Sequence, residues 1–376
     1  MEIIIYVLLF AVLFFVEKAY IVWAQSKGIE DNPGERSSHK ELTVRGGGFL
    51  FFLTVLGYWV YSGFSYPYFF AALSVLSIVS FIDDLYNLSP RTRLVCQVVA
   101  MALLVSQITT SSVGIIMALI VLSTGVVNLV NFLDGINGML CGVSLVILGE
   151  LLYIDDVLIH FIDPHFIICV LVADLVFCCY NFKTKADCFA GDVGSMSMGL
   201  ILFFLIIKLV WVSDDFRWFV LLSVFLVDGG LTIVHRILLR ENIFLPHRKH
   251  AYEIMVNELH VSHLKVSFLY IVIQVSVSVW YILFPTMTSF IAAFLILCSL
   301  YLGFMIKFYH LHEESLAQSR DLVMKLSGKT VIIVGKVAKK SIAQFINEEE
   351  NVHIVELEEW DEGVVNKYKP TMILFE

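Results

Sequence analysis

The chain has 376 residues, 59% hydrophobic and 16% charged, with a formal net charge of −9 and a mean hydropathy of +0.84. A soluble domain carries about 25% charged and about 45–50% apolar residues, so this composition excludes a soluble globular enzyme and leaves an integral membrane protein. The seven cysteines lie mostly inside apolar runs and form no C-x-x-C pair, which argues against a zinc site and a disulfide framework.

Eleven apolar segments follow in chain order, at about 2–24, 46–64, 67–83, 93–110, 113–131, 138–154, 164–182, 194–213, 216–238, 267–285 and 287–308. Roughly 20 such residues cross a hydrocarbon core, so the expected fold is an all-α integral membrane bundle of about 11 transmembrane helices. The first segment lacks a basic leader and a small-residue cleavage site, and reads as a helix rather than a removable signal. The loops alternate in charge. One set holds Lys27, Arg36, Lys40, Arg45, Arg91, Arg93, Lys183, Lys185, Arg240, Arg248, Lys249 and Lys265; the opposite set holds only Arg217. By the positive-inside rule the first set is cytoplasmic, the N-terminus outside and the C-terminus inside. Glu150 and Lys208, both in the outer part of their spans, can pair, and Asp174 and Asp228 are expected to face the bundle interior.

The bundle is expected to occupy residues 1–308, and 309–376 to form a cytoplasmic linker and a small α/β appendage. Residues 310–328 read as a polar linker or short amphipathic helix. Thr330 to Gly335, Val352 to Leu357 and Thr371 to Phe375 read as strands, and Ala338 to Glu348 as a helix. The glycine after the first strand lacks the partners of a dinucleotide fingerprint.

Four polar patches interrupt the apolar chain, all on the basic side. Asp83 and Asp84 end the third segment; adjacent carboxylates at membrane depth are costly and point to function. Arg93 follows as a phosphate-capable cation. Asn128, Asn131, Asp134 and Asn137 recur every third residue, which keeps successive side chains within a helical turn of one another, and Gly135 and Gly138 break the helix there. Asp192, flanked by Gly191 and Gly194, leads into a helix, which suits a hard cation and a phosphate together. His247, Arg248, Lys249 and His250 read as a diphosphate clamp beside an acidic metal site; His260 and His263 read as a solvated helix face. A fifth, weaker patch holds His39 and Arg45 before Gly46, Gly47 and Gly48.

In order, Arg45-Gly-Gly-Gly, Asp83-Asp84 with Leu88, Asn128 to Gly138, Phe189 to Ser195 and His247 to Tyr252 resemble the motifs of the polyprenyl-phosphate N-acetylhexosamine-1-phosphate transferases, over residues 30–265. The His-Arg-x-His-Ala-Tyr form resembles the bacterial initiating branch that serves surface polysaccharide and O-antigen assembly. The resemblance implies a bacterial inner-membrane enzyme with a cytoplasmic active site. It would be Mg2+-dependent, with Mn2+ as the alternative ion, and would move a sugar 1-phosphate from a UDP-sugar to polyprenyl phosphate with release of UMP. It implies Asn131 and Asp192 as metal ligands, and Asp83 and Asp84 near the reacting phosphates, with Asp134 and His250 in the same catalytic set. Arg45, Arg93, Asn128, Asn137, His247 and Arg248 would be substrate contacts. Many bacterial members carry Asp at the position of Asn137. Membrane lipid is an expected partner, nucleic acid is not, and a homodimer is compatible with the resemblance. Direct displacement and a covalent aspartyl-phosphate both stay open, as does the identity of the sugar. The rival from another class is a transporter or lipid-carrier binder using the carboxylates for ion coupling.

Overall fold

A computed structural model describes residues 2–31, 42–86, 88–109, 112–243, 247–326, 330–334, 353–357 and 372–375. The chain opens with α1 (Glu2–Lys27) and an antiparallel hairpin of β1 (Glu30–Asp31) and β2 (Thr43–Val44). Then come α2 (Phe49–Tyr61), α3 (Pro67–Tyr86), α4 (Pro90–Ile108), α5 (Val113–Phe132) and α6 (Met139–Tyr153), the last prolonged by a π turn, Ile154–Leu158. Next are α7 (Pro164–Asn181), α8 (Gly191–Ser213), and a 3-10 segment (Phe216–Leu222) that runs into α9 (Ser223–Leu238). Short α10 (Ala251–Asn257), α11 (His263–Leu283) and α12 (Met287–Leu326) complete the helices.

Each of the eleven apolar segments is helical. Nine helical segments among the described residues are long and apolar enough to cross a membrane, so the protein is a multi-pass membrane protein. Of the eleven segments expected to span, α2 and α6, with 13 and 15 α-helical residues, fall below that length. In the apolar stretch 46–64 both ends are spent on turns, with Gly46 to Gly48 before the helix and Ser62 to Phe64 after it. Elsewhere the helices run past the hydropathy boundary. α3 continues three residues beyond Asp83, α4 starts at Pro90, α8 at Gly191 and α11 at His263. Hydropathy marks the apolar slab, whereas backbone hydrogen bonding carries a helix on into polar surroundings.

The bundle is built around α8. Its sequence is apolar on every side, which is the pattern of a fully enclosed helix, and its residues from Val193 to Leu209 are nearly all buried. It packs against α2, α3, α5 and α6. Small residues permit the approach: Ser197 and Ser77 of α3 share a hydrogen bond (2.7 Å), and Gly199 lies against the backbone of α5 at Val127.

Consecutive helices alternate in direction. At one end Tyr58 Oη donates to Asp163 Oδ2 (2.8 Å), the Tyr68 N–H donates to Gln107 Oε1 (3.0 Å) and Arg217 Nη1 donates to the Pro285 carbonyl (3.2 Å). The turns after α1, α3, α5, α7 and α9 meet at the other end, where the polar patches are. Glu150 and Lys208 do not pair. Lys208 Nζ lies 5.2 Å from the Tyr66 ring centroid, and Glu150 lines a groove between α6 and α11. Asp174 faces the interior as expected and accepts a hydrogen bond from Ser144.

Residues 310–326 are helical and continue α12 without a break. β3 (Thr330–Val334), β4 (His353–Leu357) and β5 (Met372–Phe375) form a parallel sheet in the order β4-β3-β5, in accord with the three expected strands. The expected helix 338–348 and His39 lie outside the described residues.

The tightest backbone junction joins the loop before α2 to the start of α8. The Gly47 and Gly48 N–H groups donate to the Phe189 and Ala190 carbonyls (2.9 and 3.0 Å), and the Phe189 N–H donates to the Val44 carbonyl (2.8 Å). A Cβ on Gly48 would overlap Gly194 Cα, whereas one on Gly57 meets nothing within 4 Å. Gly48→Ala should therefore cost about 1–3 kcal/mol, on the scale of overpacking a rigid contact, and lower the melting temperature in detergent, while Gly57→Ala leaves it unchanged. Equal melting temperatures for the two variants would contradict this junction.

Candidate active site

The site stands at the N-terminus of α8, where unpaired N–H groups and the helix dipole favour negative charge. Gly191, at φ +69°, turns the chain into the helix, and Asp192 follows. Asp84 comes from the last turn of α3. Its Oδ1 accepts from the Asp192 N–H (2.9 Å) and its Oδ2 from the Val193 N–H (3.0 Å). Arg45 Nε, delivered by the glycine loop, stands 2.8 Å from the same Oδ1. Asp84 is thus the acceptor that caps α8 and ties it to α3.

Asp83, 5% exposed, points elsewhere. Its Oδ1 accepts from the Leu88 N–H (2.5 Å) and its Oδ2 from Arg93 Nη1 (2.9 Å). Arg93 also reaches Asp192 Oδ2, at 3.6 Å. α4 is started locally by Ser89, whose Oγ accepts from the Thr92 N–H (3.2 Å), with Pro90 at the first helical position.

Asn131, in the last turn of α5, donates from Nδ2 to Asp192 Oδ1 (3.0 Å) and Ser195 Oγ (2.7 Å), which leaves its carbonyl oxygen available. Asp134 is half-buried. Burial first, then repulsion by Asp192 and Asp84, pushes its pKa well above the usual carboxylate range, against the opposing charge of Arg45. Asn137 is anchored by Nδ2 donating to the Lys183 carbonyl (2.9 Å), and its buried Oδ1 has no hydrogen-bond partner among the described residues. Asn128 stands one turn back, donating to Gln97 Oε1 (3.1 Å) and the Thr124 carbonyl (2.7 Å), outside the pocket wall.

A pocket of about 230 Å3 opens between these turns. Of the expected residues, Arg45, Asn131, Asp134, Asn137 and Asp192 line it, and Asp83, Asp84 and Arg93 adjoin it through Asp192. Phe189, which opens the Phe189 to Ser195 motif, also lines it, as do Asp31, Asn181, Glu253 and His263, four residues to which sequence reasoning gave no role in the site. Asn181 accepts from the Gly138 N–H (2.7 Å) and donates to the Cys188 carbonyl (2.9 Å), joining the α5–α6 and α7–α8 turns. His263 corrects the reading of a solvated face: its Nδ1 accepts from the Asn137 N–H at 3.4 Å. His260 is exposed as expected.

The 247–250 segment is more varied than a uniform cationic clamp. Lys249 is buried and paired with Glu241, and its Nζ lies 5.8 Å from the Tyr309 ring centroid. Burial, followed by the positive charge of His250, Arg236 and Lys249, pushes His247 down to about 3, so its imidazole is neutral at physiological pH. Burial acts the same way on His250, but its hydrogen bond and ion pair with Asp228 outweigh it and hold the pKa above the ordinary histidine value. Glu253, whose Oε2 accepts from the His250 N–H (3.1 Å), is pushed up to about 7, chiefly by burial. His247 and His250 stand outside the pocket wall, to which α10 contributes Glu253.

Four carboxylates (Asp83, Asp84, Asp134 and Asp192) therefore share one end of the bundle with Arg45 and Arg93. With Asn131 and Asn137 they form a set of hard oxygen donors with excess negative charge, which fits a divalent cation of the Mg2+ class. A nucleotide diphosphate carried with such a cation matches both the charge and the adjoining arginines.

Several known proteins are similar to this chain. A probable undecaprenyl-phosphate N-acetylglucosaminyl 1-phosphate transferase of Bacillus subtilis (strain 168) is 25% identical over 251 residues, covering 60% of this chain and 69% of that protein. An undecaprenyl-phosphate alpha-N-acetylglucosaminyl 1-phosphate transferase of Thermotoga maritima is 26% identical over 255 residues, 64% of this chain and 77% of the relative. A decaprenyl-phosphate N-acetylglucosaminephosphotransferase of Mycobacterium leprae is 29% identical over 207 residues, and the chain spans about half (52%) of its length. Residues 66–210, which carry Asp83, Asp84, Asn131, Asp134 and Asp192 together with the central helix up to Val210, match the family described as glycosyl transferase family 4.

Proposed function

We propose that the protein transfers an N-acetylhexosamine 1-phosphate from a UDP-sugar to a polyprenyl phosphate, releasing UMP, as the first membrane step of surface-polysaccharide assembly. The observation that carries this reading is the convergence of Asp83, Asp84, Asp134 and Asp192 with Arg45 and Arg93 at the N-terminus of α8. The similarity to N-acetylglucosaminyl 1-phosphate transferases supports UDP-N-acetylglucosamine as the donor.

Asp192 and Asn131 would hold the Mg2+, with Asn137 Oδ1 and Asp134 beside them. Bound there, the ion supplies neutralisation of charge on the diphosphate and the departing UMP. Arg93, bridging Asp83 and Asp192, and Arg45, on Asp84, are the cations at the pocket rim that orient the phosphates. Asp134, with its raised pKa, is the carboxyl best placed to exchange a proton with the acceptor phosphate, whose second pKa lies near ~6. Asp83 and Asp84 have their oxygens committed to backbone N–H groups and arginines, which supports direct displacement by the acceptor phosphate over an aspartyl-phosphate. The transporter alternative gains no support from carboxylates gathered at one end rather than near a midplane.

Purified protein given UDP-N-acetylglucosamine, undecaprenyl phosphate and Mg2+ should release UMP; chelation should stop the release, and Asp192→Asn should lower the rate about 10²–10³-fold, the scale of one lost transition-state contact. Asp192→Asn with most of its Mg2+-dependent rate intact would contradict the metal assignment. The proposed orientation, with the site in the cytoplasm, is tested by single-cysteine variants of a cysteine-free chain. Asp156 and Ser262 are both exposed, at opposite ends of the bundle. In intact cells a membrane-impermeant maleimide should label Asp156→Cys and spare Ser262→Cys; the reverse pattern would invert the topology.

A further inference from the structure

Asp228 lies in α9, away from the pocket wall, and is 3% exposed. Its carboxylate collects four donors. Oδ1 accepts from His250 Nδ1 (3.2 Å), the Ala251 N–H (3.2 Å) and Thr232 Oγ1 (3.3 Å), and Oδ2 accepts from Tyr270 Oη. Thr232 is in turn bonded to Tyr301 Oη of α12 (2.8 Å). One side chain thus gathers α9, α10 and α11, with α12 joined through Thr232. A carboxylate buried this deeply needs a charge partner, and among the described residues its ion pair is with His250.

The His250 ring has little freedom to turn. It stacks on Tyr252 (centroids 5.5 Å apart, planes at 22°) and stands against His247 (5.0 Å) and Phe132 (6.1 Å). Phe132 follows Asn131 directly, and its carbonyl accepts from Tyr252 Oη (2.7 Å), so the histidine segment is locked to the turn that carries the proposed metal ligand. With Nδ1 turned to Asp228, Nε2 is on the other edge of the ring. An imidazole whose Nδ1–H is held by a carboxylate keeps one tautomer and one orientation.

We propose that Asp228 is a positioning residue: its ion pair with His250 keeps both ring nitrogens protonated, with Nδ1–H on the carboxylate, and thereby presents Nε2–H to the diphosphate of the bound donor. The use of Nε2 rests on the transferase reading; the hold of Asp228 on the ring does not. Removing the carboxylate charge frees the ring to lose its second proton and to turn, while leaving the pocket wall of Arg45, Asn131 and Asp192 in place.

The test uses the full-length chain in lipid nanodiscs with 15N-labelled histidine, His250→Asn identifying the His250 signals. In the wild type His250 should show a protonated Nδ1, and in Asp228→Asn that protonation should be lost or partial. A wild-type His250 with an unprotonated Nδ1 overturns the proposal without any Asp228 variant, as does an Asp228→Asn spectrum identical to the wild type. In turnover, Asp228→Asn should lose about 10–100-fold in kcat, the range seen when the carboxylate that orients a metal-bound histidine is removed. KM for the UDP-sugar and the melting temperature should change little, and Asp228→Glu should recover part of the loss. Parallel loss of kcat and melting temperature in both variants would mean a merely structural carboxylate and overturn the positioning role. Should the wild type release no UMP from any UDP-sugar, the transferase reading and the use of Nε2 on a donor diphosphate fall together, while the spectra still decide whether Asp228 sets the state of His250.

Discussion

The structure depends on one carboxylate at one helix end. α8 is enclosed by its neighbours, so the N–H groups of its first turn have little access to water and need acceptors from the protein. Asp84 supplies both oxygens to them, and Arg45 offsets its charge. That single residue fixes α3 against α8. It also fixes where the glycine loop must lie, because Arg45 is followed by three glycines that run flush against Phe189 and Ala190. The requirement for a glycine at 48 and another at 194 follows from the same contact. Asp192, one residue inside the helix, inherits its position from this arrangement.

The electrostatic consequence is a site with too much negative charge for its own arginines. Asp134 records the imbalance, held above the usual carboxylate range by burial and by Asp192 and Asp84. Across the pocket the basic segment is partly spent: Lys249 on Glu241, and His247 neutral because burial and neighbouring positive groups disfavour its charge. The cationic side of the site therefore reduces to Arg45, Arg93, Arg248 and His250, whose pair with Asp228 favours its charged form. On the proposed reading, metal binding falls to the acidic residues and phosphate orientation to a few cations, of which Arg45 and Arg93 are each held by a carboxylate.

Much of the site was legible because membrane-embedded chains carry polar residues sparingly. Asp83-Asp84, the Asn128 to Asn137 series and Asp192 stood out against apolar surroundings, and the alternation of charge among the loops placed them at one end before any contact was known. What escaped were residues whose importance comes from partners distant in the chain. Asn181 looked like the ordinary end of a span, yet it bridges Gly138 and Cys188. Glu253 and His263 lie a few residues past the visible motif, on helices whose start was not marked by hydropathy. Asp228 was one buried acid among several; its convergence with His250 and Tyr270 is a property of packing, not of spacing. In the same way the short α2 was hidden, since an apolar stretch does not say how many of its residues are used in turns.

The central claim is that the acidic end of α8 holds a divalent cation and a nucleotide diphosphate in one pocket. Mn2+ substituted into the purified protein in the presence of UDP reports both at once, through 31P couplings in its electron–nuclear double resonance spectrum. The account predicts one bound Mn2+ per chain with resolved 31P coupling, and loss of that coupled signal in Asp192→Asn. A Mn2+ signal without 31P coupling, or a coupled signal that persists in Asp192→Asn, would contradict it.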